Sequence, residues 1–261
     1  MNEYGYSAGI ARNASESEYP DLWRNLVGLF VPSAQPGWRL MDLSGGETSY
    51  AMSGTKRTST NRGKTLSFTA PNYVHLPLSL RNKISVNNFT VMLWFRPTAT
   101  MPAVCGLISC DTGYYGYPFA IRMATGLEYM TNLFNSLDSG FVPTVGQWAH
   151  VAVTLSNAGK KIYINGTLRA ANAYNTPPNT ATVPANDPLV LGYDYASSAG
   201  RSFTGDMDDI RVYQRTLSAP EIMQSFKGAS PLVPLIQRPY FNSPSAPPPA
   251  GNTTNFFRFF R

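Results

Sequence analysis

Residues 205–222 read GDMDDIRVYQRTLSAPEI, a strand pattern that runs straight into a helix start. Ile210 and Val212 alternate with Arg211 and Tyr213, the period of a half-buried strand. Ser218 stands at an N-cap position with Glu221 three residues on, the pairing in which side chains satisfy amides of the first helical turn. Leu217 before the cap and Ile222 at the fourth helical position supply the matching hydrophobic pair. Ile222 and Phe226 share one face, Pro220 falls where no intrahelical bond is lost, and Gly228 suits the left-handed position after the helix. The expectation is a strand ending at a short structural helix packed on the sheet edge.

Upstream, QWAHVAVTLSNAGKKIYINGTLRAA (147–171) alternates Val151, Val153 and Leu155 with His150, Ala152 and Thr154. It then turns at Asn165-Gly166, two residues that tolerate the positive φ a type I′ hairpin demands. Further strand signals are LVGLFVP (26–32), preceded by a short helix begun by Pro20, then TLSFTA, YVHLPL, AVCGLISC, YPFAIRM and LEYMTNLF. FTVMLWFRP (89–97) is bulky on both faces, as suits a strand central to a sandwich or one whose second face lines a groove.

Composition agrees with short strands. The 261 residues include 21 Gly and 21 Pro, with 13% aromatic and only 14% charged side chains. The net charge of +6 is spread without any Lys/Arg run longer than a pair, so a nucleic-acid-binding stripe is not expected. No apolar run approaches a membrane span, and the acids Glu3, Glu16 and Glu18 argue against a cleavable secretory signal in the first twenty residues. Cys105 and Cys110, five apart, fall on opposite faces of a straight strand and are expected to be free thiols. With secretion disfavoured, the sequons at Asn13, Asn88, Asn165 and Asn252 are taken as chance matches.

Three regions separate: a polar arm (1–20), a strand-rich domain (21–230), and a tail (231–261) that holds seven prolines, six aromatics and no acid. No internal repeat marks a propeller or solenoid.

The order FTVMLWFRP, GQWAHVAVT, KIYINGTL, PLVLGYD and GRSFTGDMDDIRVYQRTLSAPEI resembles the laminin-G-like family of concanavalin A-like jelly rolls over roughly Leu26 to Lys227. The opening LVGLFVPS…GWRLMDLSGG is similar to the first strand and turn of such modules. The resemblance implies an all-β fold, a two-sheet antiparallel jelly-roll sandwich with a short C-terminal helix and extended arms at both ends. Hydrolases resembling the laminarinase group carry Glu-x-Asp-x-(x)-Glu on one strand. The nearest cluster here, Asp206-Met207-Asp208-Asp209, lacks both glutamates, and His75 and His150 read as satisfied structural histidines. An enzyme is therefore not expected.

If Ile210 faces the core of a straight strand, Asp208 points the same way, accepting loop amides or, with Asp194 or Asp111 from separate loops, contributing to a calcium site of the kind many family members use. Calcium is otherwise not required, and no other cofactor is implied. Tyr114, Tyr115 and Tyr117, with Tyr193 and Tyr195, form two Tyr-rich loops suited to stacking on sugars or on a protein surface; Asn172, Asn175 and Asn179 lie between them.

In the tail, Arg238, Tyr240, Phe241, Phe256, Phe257, Arg258, Phe259, Phe260 and Arg261 offer aromatic and basic anchors on a proline-stiffened segment. Such chains are similar to laminin-G-like proteins of tailed bacteriophages. The expectation is a non-catalytic structural or decoration protein of a virion, assembled in a host cytoplasm and docked through its tail on capsid or tail subunits or on further copies of itself. The alternative is a lectin-like adhesion or receptor-binding module that engages surface glycans, and a degenerate hydrolase ranks third.

Overall fold

A computed structural model describes residues 20–35, 40–45, 51–110, 118–132, 135–180, 187–194 and 199–228. The arm before Pro20 and the tail beyond Gly228 lie outside the described residues.

The chain forms two antiparallel sheets packed face to face, the expected sandwich. In the first, β6 (Phe89–Pro97) lies between β11 (Ala149–Ser156) and β15 (Gly205–Tyr213). The hairpin of β12 (Gly159–Ile164) and β13 (Thr167–Asn172) extends this sheet beyond β11, with Asn165 and Gly166 at φ of 50° and 79°, as the type I′ turn requires. On its other side β15 pairs first with β4 (Gly63–Phe68) and then, nearer its end, with β1 (Leu26–Phe30); β3 (Lys56–Thr60) forms the edge beyond β4. The second sheet runs in the order β10 (Asn135–Asp138), β9 (Leu127–Thr131), β8 (Phe119–Met123), β7 (Cys105–Cys110), β14 (Val190–Leu191), β5 (Tyr73–His75) and β2 (Ala51–Ser53).

One apolar cluster fills the space between the sheets. Phe89, Val91, Leu93 and Phe95 of β6 meet Phe119, Ile121, Tyr129 and Leu191 of the facing sheet, all fully buried. The other face of β6 is covered too, which explains why the strand is bulky on both sides. There α3 (Ala219–Phe226) sets Ile222 against Met92, Ala152, Tyr163 and Tyr213 and stacks Phe226 on Trp94 at 5.6 Å. Its predicted cap is present: the Glu221 carboxylate accepts hydrogen bonds from the Ser218 amide and hydroxyl, each at 2.7 Å. Of two further short helices, α1 (Pro20–Trp23) leads into β1 and α2 (Leu78–Lys83) packs against β1, with Leu80 beside Gly28.

Two bulges overturn the straight-strand counting. In β15 the register shifts between Asp208 and Arg211, with Asp209 in the left-handed region at φ 51°. Met207, opposite Phe95, faces the core. Asp208, opposite Trp94, faces outward, and beyond the extra residue Ile210 and Val212 return to the core. Asp208 therefore does not share the core face with Ile210, because the inserted residue resets the alternation. In β7 a shift between Gly106 and Ile108 does the same, and Cys105 and Cys110 both face the core instead of opposite sides. Both are buried free thiols, and burial with the nearby Asp194 carboxylate pushes the Cys105 thiol up to about 12.

The outward acids of β15 meet arginines. Asp206 accepts hydrogen bonds from Arg96 at 2.6 and 3.0 Å, Asp209 from Arg211 at 2.7 and 2.8 Å, and Asp208 from Arg62 at 3.3 Å. Arg62 also lies over the Trp94 ring, its guanidinium carbon 3.8 Å from the centroid. At the far end of the sandwich the buried Lys160 ammonium ties the sheets together, donating to the Asn135 carbonyl at 2.6 Å and the Thr131 hydroxyl at 3.3 Å.

His150 sits within this outward layer, 1% exposed, against Trp94 and Phe226. Burial, reinforced by Arg211 and Arg62 and opposed by Asp209, pushes its pKa down to about 3. The folded protein keeps the ring neutral, whereas the unfolded chain protonates it near 6.5. This contribution is therefore fully present above about pH 6.5 and is lost as pH falls toward 3, with a limiting slope of about 1.4 kcal/mol per pH unit. Urea unfolding of the parent and of His150→Gln between pH 7 and pH 4 should show a flatter pH dependence in the variant. Parallel curves would refute the assignment.

Candidate functional site

The outward face of the second sheet carries the residues best placed to meet a ligand. Val74 and Leu76 point into the core, so Tyr73 and His75 point out, both half-buried. Their rings lie 4.8 Å apart, and Tyr193, from the segment after β14, adds a third ring 5.9 Å from Tyr73. Burial moves the His75 pKa down, against the opposing pull of Asp187, so the imidazole is uncharged at neutral pH. The strip is thus aromatic, partly exposed and electrically neutral.

Beside it lies a charged group. Arg122 of β8 and Glu128 of β9 are direct cross-strand partners, with Nε donating to Oε2 at 3.1 Å. Arg122 also faces the buried Asp194 carboxylate at 3.5 Å, and Arg201 approaches the same oxygen at 3.7 Å. With 37% of its side chain exposed, Arg201 is the most accessible member.

A single loop brings strip and charges together. Gly192 donates its amide to Leu107 O at 3.0 Å, Ser109 donates its hydroxyl to Tyr193 O at 2.7 Å, and Tyr193 bridges Ser202 in antiparallel fashion. The loop lies directly on Gly106, where a Cβ would stand 2.2 Å from Tyr193 O and 2.6 Å from Asp194 N. Only a residue without a side chain allows this approach.

Of the residues anticipated from sequence, Tyr193 and Asp194 belong to this site. Asp208 lies on the other sheet, turned outward against Arg62, so the structure does not bring the two calcium candidates together. Among the described residues no group of three or more His, Cys, Asp or Glu side chains is disposed to hold a metal ion. Tyr114, Tyr115, Tyr117, Tyr195 and Asp111, like the tail anchors from Arg238 to Arg261, lie outside the described residues. Sequence reading set His75 aside as structural and missed Tyr73, Arg122, Glu128 and Arg201. Their signal was present but faint: each is an aromatic or charged residue alternating with core residues in a short strand or flanking loop.

The fold defines a concanavalin A-like, laminin-G-like module. The chain belongs to the concanavalin A-like lectin/glucanases superfamily, whose Laminin_G_3 family matches residues 68–223. Comparison with curated proteins returns no match. Among solved structures, domain 4 of AbnA, a GH43 extracellular arabinanase from Geobacillus stearothermophilus solved with arabinotriose, is 18% identical with a TM-score of 0.60; the alignment covers 77% of this chain and 97% of that one. Trypanosoma rangeli sialidase, in a covalent-intermediate complex with 2,3-difluorosialic acid, is 16% identical with a TM-score of 0.61, over 77% of this chain and 32% of that one. The binding domain of Paraclostridial Mosquitocidal Protein 1 is 18% identical with a TM-score of 0.61, over 79% and 53%. At these identities the likeness establishes the fold. Among the described residues no helix is long and apolar enough to cross a membrane.

Replacing Gly106 tests whether the loop is built against the sheet. Gly106→Ala should lower stability by about 1–3 kcal/mol, because its neighbours are backbone atoms that must move. Thermal melts and the amide resonances of Tyr193 and Asp194 check this, and an unperturbed loop at full stability would show that the close approach is not required.

Proposed function

We propose that this protein is a carbohydrate-binding module that engages glycans through the outward face of its second sheet. The observation that carries the reading is the Tyr73–His75–Tyr193 strip, partly exposed and flanked by Arg122, Glu128 and Arg201. Aromatic rings present apolar surface to the C–H faces of a sugar, while charged side chains beside them satisfy hydroxyls. The fold neighbours support the same reading, since one was solved with arabinotriose and another is a binding domain.

Binding without hydrolysis is part of the proposal. Hydrolysis uses one carboxyl group as a proton donor and a second as nucleophile or base. Here Glu128 is held by Arg122, and Asp194 is buried between Arg122 and Arg201, which gives neither a free reacting position.

A glycan array followed by titration tests the reading. Tyr193→Ala and Tyr73→Ala should each weaken binding at least about tenfold while the thermal midpoint stays close to the parent, since loss of an aromatic contact costs on the order of 1–3 kcal/mol. An array with no specific ligand, or variants that bind as the parent does, would overturn it.

A second reading is favoured by the tail sequence: a component of a phage-like virion, assembled in the host cytoplasm, whose residues 231–261 dock on neighbouring subunits while the sandwich is displayed. It is compatible with glycan binding, since a displayed module can also bind a surface. Removing residues 231–261 should leave a folded, glycan-binding sandwich that no longer co-purifies with particles. Particles that retain the shortened chain would exclude the tail as anchor.

A further inference from the structure

A groove of about 730 Å³ lies on the opposite side of the molecule from the aromatic strip, within the size range of small-ligand sites. Its floor is the outward face of β12, where Lys161 and Tyr163 lie opposite Thr154 and Ala152. One wall is the first turns of α3, including Glu221 and Gln224, and the other is α1 with Asp21 and Arg24.

The charges in this groove are unevenly committed. Arg215 pairs with Glu221 at 2.7 Å and donates to the Arg24 carbonyl at 2.8 Å and to the Asp21 carbonyl; Arg24 faces Asp21 at 3.7 Å. The Lys161 side chain makes no hydrogen bond or ion pair among the described residues, and it is half-buried in the lining of the groove. Three cations against two acids leave one positive charge in excess, and Lys161 is the cation without an acid of its own. The Tyr163 hydroxyl and the Gln224 amide are likewise uncommitted among the described residues, although the Tyr163 ring is packed away at 4% exposure.

From this arrangement we propose that the groove between α1 and α3 is a second binding site, for a sugar residue bearing a single carboxylate, a uronic acid. The Lys161 ammonium pairs with the carboxylate, while Tyr163 and Gln224, one hydroxyl and one amide, each donate to and accept from the ring hydroxyls. A bare anion uses only the first of these contacts and a neutral sugar only the other two. The site stands on β12 and α3, so it is independent of Tyr193 and of the glycan site on the other sheet.

The test uses the full chain titrated with sodium glucuronate, glucose and acetate, followed by amide chemical shifts. Glucuronate should saturate with shifts at Lys161, Tyr163 and Gln224, whereas glucose and acetate should bind at least about tenfold more weakly. Lys161→Gln should weaken glucuronate about tenfold, the effect of losing one charge-assisted hydrogen bond, and Lys161→Arg should retain most of it. Tyr193→Ala should change nothing here while weakening glycan binding at the other face, which separates failure of this site from failure of that one. Absence of saturation, equal binding of glucose or acetate, or an unaffected Lys161→Gln variant whose spectrum shows it folded would each overturn the proposal.

Discussion

The extra residue in β15 at Asp208–Asp209 is the constraint on which the rest of the sandwich depends. This strand joins the first sheet: β6 runs along one side, and β4 and β1 share the other. An uninterrupted alternation would hold Asp206 and Asp208 on the same face as Ile210 and Val212, placing carboxylates between the sheets at a cost of several kcal/mol each. The bulge separates the two requirements. Met207, Ile210 and Val212 fill the core, and the acids turn outward to Arg96, Arg62 and Arg211. The outward layer then needs its own cover, and α3 supplies it by laying Phe226 on Trp94 and Ile222 on Met92 and Tyr163. Strand, bulge, ionic layer and capped helix thus form one chain of dependence, each step created by the one before.

This dependence explains which parts of the fold were legible in the sequence. The β12–β13 hairpin and the start of α3 were readable because each rests on chemistry within a few residues: positive φ at Asn165-Gly166, and the reach of Glu221 back to Ser218. The faces of β7 and β15 were not readable, because a bulge imposes no strict requirement on residue type. Asp209 adopts a left-handed backbone that any Asp sequence leaves equally open, and nothing in AVCGLISC marks where an extra residue is inserted. The polar β3 and the short β10 were missed because pairing with a neighbour, not alternation, makes them strands.

The candidate site shows the same division. Tyr193 and Asp194 stood out in a Tyr-rich loop, but their partners come from β5, β8, β9 and the segment before β15. Tyr73 and Tyr193 are remote in the chain and adjacent only because β14 pairs with β5. Whether an outward residue is a site or mere surface depends on the loop above it, and Gly106 determines that loop's height by lacking a side chain.

The arginines also bear on what such a sandwich can do. Each acid so placed, on either face, is held by a guanidinium: Asp206, Asp208 and Asp209 on one sheet, Glu128 and Asp194 on the other. Such pairing fixes the orientation of each carboxylate. On the outward face of the second sheet the groups left open to a ligand are aromatic rings and an exposed edge of Arg201. An uncharged aromatic strip of this kind selects by shape and by hydrogen bonds rather than by broad electrostatic attraction.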